Sequence, residues 1–191
     1  MPALVRPQSA ARPSISDIPI PRRLRQRPRD PRGYPIPYVV LINADGTPDF
    51  RASNPQHWLN CVEHRRCQLC GQPLVGGGWF IGAPECEASR RFLDPAMHLD
   101  CGEYSLMVCP FLAIPKAHYS DLERRPVEGE RIQIHTEKPD RFMLAHTRGW
   151  ERVDMRAGEG VVPTILAWPW TEVRWWRDGR QGTPAQNLNE G

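Results

Sequence analysis

"HRRCQLCGQPL", residues 64–74, decides how this chain is read. Two residues separate Cys67 from Cys70, and Gly71 follows directly. A turn of this kind lets two thiolates converge on one cation while backbone amides point at the sulfurs. Glycine takes the backbone conformation that the turn requires. Two other readings compete. A thioredoxin-like redox pair stands at the start of a helix that follows a strand. Here a helix is expected before the pair, and Gly and Pro come after it. The third reading is two plain buried thiols.

The segment before the pair is "NPQHWLNCVEHRR", residues 54–66. Asn54 suits a helix cap and Pro55 the first helical position. Trp58, Cys61 and Val62 then share one face, so Cys61 reads as a core thiol. After the pair, "QPLVGGGWFIGAPEC" (72–86) reads as a short hairpin with Trp79, Phe80 and Ile81 as its apolar part. In "FLDPAMHLDCGEYSLMVCPFL" (92–112), Asp94 and Pro95 predict a second helix. That helix would carry His98 and Cys101 on one face in its first turns. Its positive end favours a thiolate.

Cys67, Cys70, His98 and Cys101 thus form a Cys3His set, which suits a tetrahedral, structural Zn2+. Knuckle, hairpin and helix resemble a treble clef over residues 67–109. Cys86 and Cys109 are left over, and either could replace His98 as a ligand. An iron–sulfur cluster on four of the six cysteines is a further alternative.

Length and composition bound the rest. The 191 residues suit one domain or two small ones, and 21 Pro with 15 Gly argue against long helices. No apolar run reaches the length of a membrane span. The first residues lack the apolar stretch of a secretory signal, so the cysteines point to a reducing compartment, the cytoplasm. Residues 1–33 hold eight Arg and two Asp, a balance of +6; the other residues, with 17 basic and 20 acidic, balance at −3. These first 33 residues read as a Pro/Arg-rich arm, extended or disordered. The arm is either a solvated tail or a grip on phosphates through Arg22, Arg23, Arg25 and Arg27.

Residues 34–115 read as the zinc-binding α+β unit. In it, residues 38–42 are a buried strand and "PDFRAS" a second one, with "NADG" as the turn between them. Residues 116–180 read as a small β-rich region packed on that unit, with strands at "RIQIH" (131–135), "RFMLAHT" (141–147), "VVPTILAW" (161–168) and "TEVRWW" (171–176). Residues 181–191 are a tail. The expected class is α+β, with a zinc-stabilised unit and a mostly antiparallel sheet. Five of the seven Trp fall between residues 150 and 176, among several Arg. They either fill the core or, at Arg174, Trp175, Trp176 and Arg177, face a partner. Adjacent strand residues point to opposite faces, so Trp175 and Trp176 are not both expected inside a one-sided sheet.

"DPRGYPIPYVV", "PDFR", "CQLCGQPL", "FIGAPEC", "DPAMHLDCGEYSLMVCPFL" and "WWRDGRQGT" occur in that order over residues 30–183. Together they resemble a family of small uncharacterised proteins from bacteria and their phages. The resemblance implies that Cys86 and Cys109 belong to the family pattern.

A closed four-ligand site favours a binding module over an enzyme, with nucleic acid or another protein as partner. An open catalytic zinc would keep a water position, which four protein ligands deny. A metal-dependent nuclease of the His–Asn–His kind needs a His base and further His or Asn ligands. His57, His64, His118, His135 and His146 are available, but none has acidic or amide neighbours in a recognisable pattern. A CxxC redox protein is the remaining alternative.

Overall fold

A computed structural model describes residues 17–113, 138–157 and 160–182. A short 3-10 helix, Arg22–Leu24, comes first. Strands β1 (Val40–Ile42) and β2 (Pro48–Ser53) pair antiparallel around the expected turn, where Gly46 adopts φ +83°. Helix α1 (Pro55–Glu63) follows. Its cap forms as the sequence predicts: the Asn54 side chain accepts the His57 N–H at 3.0 Å, and Pro55 opens the helix. Trp58, Cys61 and Val62 are its buried face.

Next come β3 (Gly78–Gly82), α2 (Glu85–Ser89), β4 (Arg91–Phe92), α3 (Leu99–Val108) and α4 (Pro110–Ala113). The C-terminal half supplies β5 (Phe142–Thr147), β6 (Trp150–Ala157), β7 (Gly160–Ala167), β8 (Trp170–Arg177) and β9 (Arg180–Gln181). A four-stranded sheet runs β3-β5-β8-β9 and a three-stranded one β4-β7-β6. Every strand pairing among the described residues is antiparallel. The fold is α+β, as expected, with the Cys3His set inside it.

Aromatic side chains knit the sheets together. Phe80 is fully buried, with ring centroids of Phe92 at 4.7 Å and Trp150 at 5.6 Å. Burial of a ring this size contributes about 1.5–3 kcal/mol. Trp150 Nε1 donates to the Val62 carbonyl at 3.2 Å and so ties β6 to the end of α1.

Four expectations change. First, β3 finds no hairpin partner between the knuckle and α3. It pairs with β5, Trp79 opposite His146, and makes one bridge to Met97. The ligand-bearing segment and the C-terminal half therefore share one sheet. Second, α3 begins at Leu99 rather than near Pro95. The Met97–Trp79 bridge, with bonds of 2.8 and 2.9 Å, holds the chain extended until His98, which becomes the N-cap. Third, Trp175 and Trp176 are both buried, because the sheet is covered on both faces there. Trp168, which the core-filling alternative places inside, is 49% exposed. Fourth, the arm is packed from Asp17 onward: Ile18 and Leu24 are buried in the core. Residues 1–16 and the "RIQIH" strand lie outside the described residues. Strand β6, whose charges mask its alternation, was not expected, nor were α2 and β4.

Candidate metal centre

The knuckle is built by backbone bonds. Cys67 N–H donates to the Gln72 carbonyl at 2.9 Å, and Gly71 N–H to the Cys67 carbonyl at 2.8 Å. Gly71 sits at φ +76°, and a Cβ there would come within 2.9 Å of the Tyr38 ring. Both the turn and its packing therefore require glycine.

Gln68, between the two cysteines, joins the knuckle to the entry of α3. Its N–H donates to the Ala96 carbonyl at 3.0 Å and its buried side-chain amide to the Pro95 carbonyl at 2.6 Å. His98 follows two residues after Ala96, and Cys101 lies in the first turn of α3. Sequence reasoning missed Gln68, since one polar residue inside a CxxC pair carries no signal of its own.

Cys67, Cys70, His98 and Cys101 come together. One ligand atom from each lies within 4.8 Å of all the others, and the three cysteines are buried. Four such groups can hold a metal ion. The imidazole is oriented for it: Nδ1 lies 3.4 Å from Cys70 Sγ, while Nε2 lies 3.0 Å from the Pro73 carbonyl oxygen. A carbonyl accepts only, so Nε2 carries the proton and Nδ1 faces the sulfurs as a donor atom.

The proton balance of the four groups fits the same purpose. Hydrogen bonds from Cys101 and Cys67 hold the Cys70 thiol far below its ordinary pKa. The bonds to Cys67 and Cys70 push Cys101 up. Burial pulls His98 down, but its bonds to Cys67 and Cys70 and their charge outweigh that and push it up to about 10. Cys101 and His98 thus hold protons that a metal ion displaces.

The other thiols stand apart. Cys61 is fully buried, and burial raises its pKa to about 12, as for an inert core thiol. Cys86 belongs to α2 and Cys109 caps α3; neither joins the four-ligand group.

The expected partner residues are largely occupied within the chain. Arg23 pairs with Asp100 at 3.2 Å, Arg25 Nε donates to the Ile20 carbonyl at 3.1 Å and Arg27 Nε to the Ile36 carbonyl at 2.9 Å. Arg22 and Arg177 are exposed. Arg174 reaches Glu103 at 2.8 Å and Glu172 at 2.6 Å. Buried Trp175 and Trp176 offer no open face for stacking. Of the proposed nuclease histidines, His57 Nδ1 lies 2.7 Å from the Tyr38 carbonyl oxygen and His146 meets Thr171, while His118 and His135 are outside the described residues. No helix among the described residues is long and apolar enough to cross a membrane. Compared with protein-family models, curated proteins and solved structures, the chain matches none.

Proposed function

We propose that this is a zinc-binding protein in which the ion is structural, and that the folded unit is a binding module for a nucleic acid or another protein. The observation that carries the proposal is the convergence of three buried sulfurs and one oriented imidazole within 4.8 Å. Three soft thiolates and one borderline nitrogen in a closed group suit Zn2+, and four protein ligands leave no place for a reacting water. A chain rich in proline and glycine gains folding energy from such a crosslink.

A redox role for Cys67 and Cys70 is disfavoured, because the pair shares its space with His98 and Cys101 rather than standing alone. A nuclease needs a second divalent site, and the four-ligand group is the one such cluster among the described residues. The resemblance to small bacterial and phage proteins is carried by the sequence blocks and adds no activity.

Incubation of the purified, metal-loaded chain with labelled single- and double-stranded nucleic acids, across a salt series, tests the binding reading. The expected result is salt-sensitive binding without cleavage, or no binding together with specific capture of a protein partner. Cleavage that needs Mg2+ and stops in EDTA would replace the module with a nuclease.

A further inference from the structure

We infer that Arg27 supplies the positive charge that balances the metal–thiolate centre, which makes the Arg-rich leader a working part of that centre. The inference rests on the metal reading above and adds a residue to it. A divalent ion, a neutral imidazole and three thiolates leave one negative charge uncompensated. Burying that charge is costly unless a fixed cation faces it.

The segment that follows the arm is fastened to the knuckle. Tyr38 N–H donates to the Leu69 carbonyl at 2.9 Å and Val39 N–H to the Gln68 carbonyl at 3.0 Å. The Tyr38 ring lies against Gly71, the residue after Cys70. Arg27 lies over the same ring, its guanidinium carbon 5.7 Å from the centroid, and its Nε bond to the Ile36 carbonyl fixes its direction. Leu24, three residues earlier, is buried and anchors the strap.

Many arginines of the chain are already neutralised by carboxylates. Arg23, Arg32, Arg51, Arg152 and Arg174 each meet a carboxylate. Arg27, like Arg25, Arg29, Arg65 and Arg66, bonds to a carbonyl oxygen instead, and of these it is the one that is half-buried over the Tyr38 ring beside the knuckle. Burial lowers its pKa, while the negative Cys70 sulfur and Tyr38 act in the opposite direction. A guanidinium stays charged under such a shift. Arg66 also approaches the knuckle, through a 2.9 Å bond to the Gly71 carbonyl, but its side chain is exposed and screened by water.

The test measures zinc affinity of the full chain by competition with a chelator, for the wild type, Arg27→Gln, Arg27→Lys and Arg25→Gln. Residues just beyond a metal's ligands typically change affinity by about 10–100-fold. Arg27→Gln is expected to lose about tenfold or more. Arg27→Lys keeps the charge but not the Nε bond to the Ile36 carbonyl, so its loss should be clearly smaller than that of Arg27→Gln, and Arg25→Gln should be unchanged. The Co2+-loaded Arg27→Gln chain should keep the absorption bands of a tetrahedral thiolate site, which separates a charge effect from a lost fold. Equal losses in Arg27→Gln and Arg27→Lys, or wild-type affinity in Arg27→Gln, would overturn the assignment. Should Arg27→Gln not fold, Arg27→Lys decides alone, with a loss of about tenfold or more counting against the assignment. A wild-type chain that takes up no metal fails the earlier reading, and this one with it.

Discussion

The His98 Nε2 proton goes to the Pro73 carbonyl oxygen, 3.0 Å away, and this single bond turns Nδ1 toward the Cys70 sulfur at 3.4 Å. The acceptor belongs to the knuckle and the imidazole to the N-cap of α3. One contact therefore sets the tautomer and joins the two halves of the centre.

Loss of a ligand should cost far more than loss of a neighbouring thiol. Cys67→Ser or Cys101→Ser is expected to lower stability by several kcal/mol, on the order of what metal-coupled folding supplies, and to lose bound metal. Cys61→Ala should cost roughly 1 kcal/mol and keep the metal. Urea denaturation with metal analysis reads both, and equal losses at Cys61 and Cys67 would mean that the ligand set is wrong.

Protons compete with the ion. Cys101 and His98 both hold protons in the metal-free cluster, His98 up to about pH 10, so metal uptake must release them. Affinity should therefore fall as pH falls, and proton release should accompany loading. A pH-independent dissociation constant between pH 6 and 8 (the span of roughly neutral assay conditions) would count against these ligands.

Cys61 gives an independent check on the alkaline side. Its pKa rises from 9.0 to about 12 through burial, so the folded state favours the thiol. The sign follows: its contribution is whole below pH 9 and is lost as pH climbs toward 12. In the native protein at pH 9, iodoacetamide should leave Cys61 unmodified and should label it after unfolding. Rapid native labelling at Cys61 would show that its site opens easily.

Gln68 should matter to the centre without touching the metal. Gln68→Ala removes the buried donor to the Pro95 carbonyl, which loses its 2.6 Å bond. The expected cost is about 1–3 kcal/mol. Because that bond aligns the knuckle with the start of α3, metal affinity should fall as well. A variant with unchanged urea midpoint and unchanged affinity would remove Gln68 from the scheme.

Local signals were the legible ones. The CxxCG turn, the Asn54–Pro55 cap and the apolar runs at β5, β7 and β8 each need only neighbours in sequence. The partner of β3 was not legible, because Trp79 meets His146 through a pairing that no local pattern encodes. The same pairing sheet captures Met97, and this delays α3 past the Asp94–Pro95 start signal. Tertiary contacts also decided the two tryptophans. Arg141 lies 4.5 Å over the Trp175 ring, and Trp176, which points to the other face, is buried as well, so both faces at the end of β8 are covered. In the leader, Ile18 and Leu24 are isolated apolar residues with no periodicity, and only the folded surface shows where they go.

X-ray absorption at the zinc edge of the full chain, with metal quantification, tests the central claim most directly. The account predicts one zinc per chain, bound by three sulfurs near 2.3 Å (about the usual Zn–S length) and one nitrogen, with no water. A stoichiometry near zero, or an oxygen-rich first coordination sphere, would contradict it.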